Sequence, residues 1–103
     1  RDYWVGAVKQ CGGVSKMPTA DDLAKLATEL YGVQVGAKQS KSDIHLDTSK
    51  ASSMGFTGAP FVVWTGVEID RDRAYGRYFR SLRTSWYYDG RYSSAFQTVC
   101  LGD

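Results

Sequence analysis

The chain has 103 residues, 43% of them hydrophobic and 14% aromatic, with seven tyrosines and three tryptophans. That length supports one core, so residues 1–103 read as a single domain, and so aromatic a composition excludes a disordered chain. A net charge of +2 provides no global field to recruit nucleic acid or an anionic membrane, and no apolar stretch approaches the roughly 18 residues of a membrane helix. No secretory signal is visible. A start at Arg1 without Met reads either as a cut piece or as a protein processed after a signal peptide or a basic propeptide site.

The first element, Tyr3-Trp-Val-Gly-Ala-Val8, is a short apolar run and reads as a central strand, ended by Gly12-Gly13. Thr19 is a good N-cap, with Asp21 and Asp22 in the first turn where the helix dipole favours carboxylates. Leu23, Leu26, Ala27 and Leu30 follow at helical period, and Gly32 stops that helix. Residues 34–42 read as a loop. Ile44, Leu46 and Thr48 alternate with polar neighbours as a short strand, and Lys50–Thr57 reads as a second loop. The run from Gly58 to Trp64 marks the next central strand, over Ala59–Thr65. Asp70 or Asp72 then caps an expected second helix, with Tyr75, Tyr78, Phe79, Leu82 and Trp86 as its apolar stripe. Arginines 71, 73, 77, 80 and 83 lie mostly off that stripe and read as a solvated face. Asp89-Gly90 signals a turn between Trp86–Tyr88 and Arg91–Tyr92, and Ala95–Leu101 closes the chain as a strand.

The expected order is β-α-β-β-α-β. It implies an α+β, ferredoxin-like two-layer sandwich, its antiparallel sheet ordered 4-1-3-2 and both helices on one face. A chain-terminal hairpin added to a different α+β sheet is the other architecture. The chain here resembles the RNA-recognition motif, which binds single-stranded RNA on an open sheet face. Tyr3–Val8 looks like that family's first-strand motif, with Trp4 as an outward ring, and Gly58–Trp64 like its third-strand motif, with Phe61 outward. The resemblance implies Trp4 and Phe61 as RNA-stacking rings, since bases stack on free aromatic faces. Ala59 stands where the family has its other ring, Pro60 interrupts the strand, and no basic residue precedes Gly58. Trp4 and Phe61 also fit a core, because a register slip of one residue turns every side chain to the other face. If outward, they equally fit a protein interface.

Nothing in the spacing points to catalysis, and the chain reads as a non-enzyme without metal or cofactor. His45 is the only histidine, and Glu29 and Glu68 are the only glutamates, so a Glu/His/Arg ribonuclease arrangement has few groups to draw on. Between Asp43 and Asp47, His45 reads as an exposed strand residue. Cys11, Cys100, His45 and scattered aspartates show no metal-ligand spacing. In the proposed sheet the two cysteines lie roughly 17 Å apart at about 3.3 Å per residue, too far for a disulfide. Cys11 is then exposed and free to pair with another chain. If the two are bonded, the topology is different.

In size, element order and tyrosine-rich carboxyl half, the chain is similar to small cysteine-poor effectors secreted by plant-pathogenic fungi, related to the secreted-in-xylem and certain avirulence proteins. That similarity implies a secreted protein, extracellular or translocated into host cells, which pairs with a second effector or a host protein. The expected interface residues are Trp4, Cys11, Phe61 and Val63. A single-stranded RNA-binding module using Trp4 and Phe61 is the alternative.

Overall fold

The computed structural model describes residues 1–92 and 96–102. The first element is a helix, α1 (Tyr3–Cys11). The Asp2 carboxylate accepts the Val5 N–H at its start, and Gly12 closes it in the left-handed region (φ 89). Trp4, Ala7, Val8 and Cys11 recur at i, i+3, i+4 and i+7 and form its inward stripe. The expected strand at Tyr3–Val8 is thus corrected: the run is apolar, but its period is helical. A 3₁₀ turn at Val14–Lys16 leads to α2 (Ala20–Tyr31). This helix has the expected boundaries, set by a reciprocal cap between Thr19 and Asp22 and by Gly32 in the left-handed region.

The strands are β1 (Lys41–Ser42), β2 (Phe61–Glu68), β3 (Arg73–Phe79) and β4 (Arg83–Gly90), with a short helix, α3 (Thr48–Ser53), between the first two. They form one antiparallel sheet in the order β1-β4-β3-β2. The fold is α+β with a four-stranded antiparallel sheet, but the order 4-1-3-2 and the sequence β-α-β-β-α-β are not those of this chain. The elements run helix, helix, strand, helix, then three strands. Residues 73–90 form a hairpin where a helix was expected. Its turn spans Arg80–Leu82, closed by Arg80 N–H to Arg83 C=O at 2.9 Å, and not Asp89-Gly90. Aromatic residues favour the pleated surface. Gly76 would weaken a helix but is required here, where an added Cβ would stand 2.5 Å from the Val63 carbonyl. Ile44 and Leu46 are buried but form no strand, their N–H groups donating to Leu82 and Ser81 carbonyls. The expected loop at Lys50–Thr57 begins inside α3.

Two core clusters lie against the sheet. Val63 belongs to one and its neighbour Trp64 to the other, and successive strand residues point to opposite faces. On the first face, Phe56, Phe61, Phe79 and Tyr31 form a row of stacked rings with neighbouring centroids 4.9, 4.9 and 6.3 Å apart. Leu23, Ala27 and Leu30 of α2 close over this row, and each ring pair adds about 0.5–1.5 kcal/mol beyond area burial. On the second face, Trp4 and Ala7 of α1 pack with Met17, Trp64 and Ala74.

The carboxyl-terminal segment runs along the outer side of β2. Gln97 N–H donates to Val62 C=O (2.8 Å) and Gln97 C=O accepts Trp64 N–H (3.3 Å), an isolated parallel bridge in place of the expected closing strand, whose first residue, Ala95, lies outside the described residues. This path brings Cys100 to the end of α1, where it forms a disulfide with Cys11 across a Cα–Cα distance of 5.2 Å. Cys11 is not free. The separation expected between the cysteines rested on a first strand that is a helix, and the bond accompanies the different topology.

The bridge closes a loop across 89 residues, and cross-linking so long a loop stabilises by about 4.6 kcal/mol in the chain-entropy account. The Cys11→Ser, Cys100→Ser double variant is expected to lose about that much in urea unfolding. A loss below about 1 kcal/mol would show that the closure is energetically idle.

Candidate functional site

Three of the four expected interface residues are buried, and the fourth, Cys11, is half-buried and bonded. Trp4 is 6%, Phe61 5% and Val63 0% exposed, and Cys11 is in the disulfide. Phe61 lies in the ring row and Val63 beneath α2, because their strand face is the one that helix covers. The Trp4 Nε1–H donates to the Thr65 carbonyl at 2.8 Å, and the Arg91 guanidinium lies 4.6 Å from its ring centroid. No base or partner ring reaches Trp4 or Phe61 in this arrangement, which corrects both the interface and the RNA-stacking assignments.

Arg91, expected in the segment just after an Asp89-Gly90 turn, is a buried hub. Its guanidinium pairs with Asp2 at 2.7 Å, with Glu68, and with the Asp70 carbonyl at 2.8 Å. Its backbone carbonyl accepts the Tyr3 N–H at 2.7 Å. Burial pushes the Asp2 carboxyl up, but the Arg91 hydrogen bond, the Val5 N–H and the Arg91 charge together hold it below the ordinary 3.8. Glu68 is thereby committed to Arg91. Glu29 lies 3.9 Å from Lys50, and His45 is exposed elsewhere. Among the described residues, no group of three or more His, Cys, Asp and Glu side chains could hold a metal ion.

A groove of about 410 Å³ lies between α2, the loop after α3 and the carboxyl-terminal segment, walled by Leu23, Leu26, Met54, Phe56 and Val99. Its polar groups face other tasks: the Asp22 carboxylate accepts Thr19 N–H, and Gln97 Nε2 donates to the Thr57 carbonyl. The groove has shape with little directing chemistry.

The surface that sequence reasoning missed is on β3 and β4. Antiparallel register sets Tyr75 opposite Tyr88 and Arg77 opposite Trp86, so these side chains share the face that α2 covers further along. Beyond the reach of α2, Tyr75 and Trp86 stack at 4.8 Å and Tyr88 meets Tyr75 edge-on at 6.2 Å. Tyr88 is 53% exposed. The Lys38 ammonium lies 6.0 Å from the Trp86 ring and the Arg73 guanidinium 5.6 Å from the Tyr88 ring. Arg73 is also paired with Asp70 at 2.8 Å, which holds the Asp70 carboxyl below its ordinary value. The opposite face carries a smaller group, Tyr78 edge-on to Tyr87, with Arg80 stacked on Tyr78 at 4.1 Å. The signal was present as alternation: Arg73, Tyr75 and Arg77 on one strand, Trp86 and Tyr88 on the next. The same residues also fit a helical stripe, and that period hid the strand.

Arg77 fixes this surface from below. It is fully buried, and Nη1 and Nη2 donate to the carbonyls of Gln39 (3.0 Å), Ala37 (3.1 Å) and Gly36 (3.3 Å) and to Thr84 Oγ1 (3.2 Å). Burial pulls its pKa down from the ordinary arginine value. The loop 36–39 is thereby pinned over the sheet, which positions Lys38 beside Trp86. Nearby, the Tyr31 hydroxyl lies 2.7 and 2.9 Å from the carbonyls of Arg80 and Arg83, and burial pushes the phenol up to about 12.

No family model matches the chain, and neither a curated protein nor a solved structure is significantly similar to it.

Arg77→Ala is expected to cost about 3 kcal/mol, from a cavity and from buried carbonyls left unpaired. It should also raise amide exchange across residues 36–40, and unchanged exchange there would separate the loop from Arg77. For Asp2 the folded pKa lies below 3.8, so its contribution is complete above that value and is lost as pH falls through the folded pKa. Asp2→Asn keeps an N-cap side chain. It is expected to flatten the acid side of the stability curve measured by urea midpoint against pH, leaving the same-signed slope from Asp70. A wild-type slope in the variant would remove Asp2 from the acid response.

Proposed function

We propose that this chain is a secreted, non-enzymatic interaction protein of the fungal-effector kind, which acts by pairing with a second effector or a host protein. The observation that carries the interaction reading is the ring cluster on β3 and β4 in which Tyr88 is exposed and Tyr75 and Trp86 are half-buried. Aromatic side chains bring large contact area at low entropic cost and are enriched at protein interfaces. The Cys11–Cys100 disulfide fits an oxidising compartment, and no helix of the described residues is long and apolar enough to cross a membrane. The finer fold kinship with the RNA-recognition motif forms no part of this proposal, because a helix stands where that fold has its first strand. RNA binding is the weaker reading, since Trp4 and Phe61 are buried.

The test is to express the natural reading frame, including whatever precedes Arg1, in a fungal secretion host. The expected outcome is protein in the medium with no free thiol by mass spectrometry, which cross-links through the β3–β4 surface to a second secreted or host protein. Retention inside the cell with both thiols reduced would sink the secretion half. A secreted monomer that cross-links to no partner at all would sink the interaction half.

A further inference from the structure

β1 pairs with β4 at only two positions, Lys41 with Thr84 and Ser42 with Arg83. Among the described residues, no segment pairs with the outer side of β4 beyond Thr84. The direction of its backbone groups follows from the hairpin. Arg83 C=O accepts the Arg80 N–H and therefore faces β3. Hydrogen-bonding direction alternates along an antiparallel strand, so Ser85, Tyr87 and Asp89 also face β3, and Thr84, Trp86, Tyr88 and Gly90 face outward. Thr84 is the residue opposite Lys41, which agrees. The Gly90 N–H is taken by Asp89 Oδ1 at 2.7 Å. Trp86 and Tyr88 each present an N–H and a C=O to the outside.

Natural sheets protect such edges with Lys, Pro, bulges or very short strands. This one runs Ser-Trp-Tyr-Tyr-Asp-Gly from residue 85 to residue 90, with three strong strand formers at its centre, no Lys or Pro, and one charge, Asp89, near its end. The preceding loop does not cover it either. Gln39 would continue β1 alongside Trp86, but its carbonyl is drawn onto the sheet face by Arg77.

We propose that the outer edge of β4, Ser85–Gly90, takes an extended acidic segment of a partner protein as an added strand, seated against Trp86 and Tyr88. The inference rests on the interaction-protein reading and names where and with what that interaction is made. Charge decides the acidic class. Lys38 stands beside Trp86 and Arg83 is exposed at the start of the strand, while Arg73, beside Tyr88, is already paired with Asp70 and adds little net charge. Stacking takes one face each of Tyr75 and Trp86, and Lys38 and Arg73 lie over the Trp86 and Tyr88 rings, so few ring faces stay free. Carboxylates suit that surface. The same geometry disfavours nucleic acid, since base stacking needs free ring faces and the edge offers alternating N–H and C=O groups that a polypeptide backbone complements. A second copy of the chain would bring like charge against like charge.

The experiment titrates the intact, disulfide-bonded protein with an acetylated peptide of about ten residues, long enough to span the free edge, in which Glu alternates with Val. Amide chemical shifts report where it binds. The expected result is a dissociation constant of about 100 μM or tighter, with the largest shifts at residues 84–90 and binding weakened by salt. Trp86→Ala should weaken binding at least about tenfold. Lys38→Glu, on an exposed loop side chain, should weaken it about fivefold even if Trp86→Ala does not fold. A peptide N-methylated at alternate backbone positions should not bind. The proposal is overturned if the acidic peptide leaves residues 84–90 unshifted, or if its Lys-for-Glu or N-methylated forms bind equally well. It also falls if oligothymidylate of similar length binds there more tightly, or if the same shifts arise from self-association. A partner that cross-links elsewhere on the surface removes this edge assignment and leaves the interaction reading standing. Peptide binding by a protein retained in the cell keeps the edge assignment and removes only the secretion half of that reading.

Discussion

Arg77 sits at the centre of β3 with no exposed surface, and three backbone carbonyls and a threonine hydroxyl meet its charge. A guanidinium so placed costs desolvation, and carbonyl dipoles offset that cost only while the loop that supplies them stays in place. The dependence runs both ways. Residues 36–39 have no regular structure of their own, and the arginine gives them a fixed position across the sheet. From that position follow the siting of Lys38 beside Trp86, the brevity of β1 and the open length of β4. A methionine in place of Arg77 would fill similar volume, but it would leave the Ala37 and Gln39 carbonyls without the donors that Arg77 supplies.

The other face is held differently. α1 has few sheet contacts beyond Trp4 and Ala7 and is fastened at both ends. At its start, Arg91 gathers Asp2, Glu68 and the Trp4 ring; at its end, Cys11 is bonded to Cys100. The two carboxylates are not equal partners. The Asp2 side chain is 17% exposed and that of Glu68 50%, so solvent screens Glu68 more and Asp2 is the stronger anchor. The covalent link acts mainly on the unfolded chain, whereas the Arg91 cluster acts on the folded one. Together they seat a nine-residue helix, too short to persist alone in water.

With both faces covered over most of their length, the larger ring cluster that stays partly open to solvent among the described residues is on β3 and β4. The rings of Tyr75, Trp86 and Tyr88 lie past the end of α2, next to the edge of β4 that no described residue pairs beyond Thr84. Rings alone would make a non-specific adhesive patch. An adjacent row of backbone donors and acceptors adds direction, and the flanking cations add a preference of sign. The arginines are only partly a solvated face: Arg77 is structural, Arg80 and Arg73 cover tyrosine rings, and Arg71 and Arg83 remain exposed.

What the sequence by itself determined is what neighbouring residues settle among themselves. α2 was legible because Thr19, Asp22 and Gly32 cap it locally, and β2 because a run of β-branched and aromatic residues needs no partner to be recognised. The Tyr3–Val8 run is apolar in either conformation, and Asp2 with the 4/7/8/11 spacing would have revealed the helix. Residues 75–86 satisfy a helical stripe and a strand alternation at once, so only pairing with Val63 and Trp64 chose between them. None of the site followed from the motifs, since the rings that looked outward are core and the outward rings lay in the supposed helix. The tertiary structure alone decided the Cys11–Cys100 bond, the loop carbonyls around Arg77, and which edge of the sheet stays open. Each joins residues far apart in the chain, where local propensity is silent and only the packed fold brings the groups into reach.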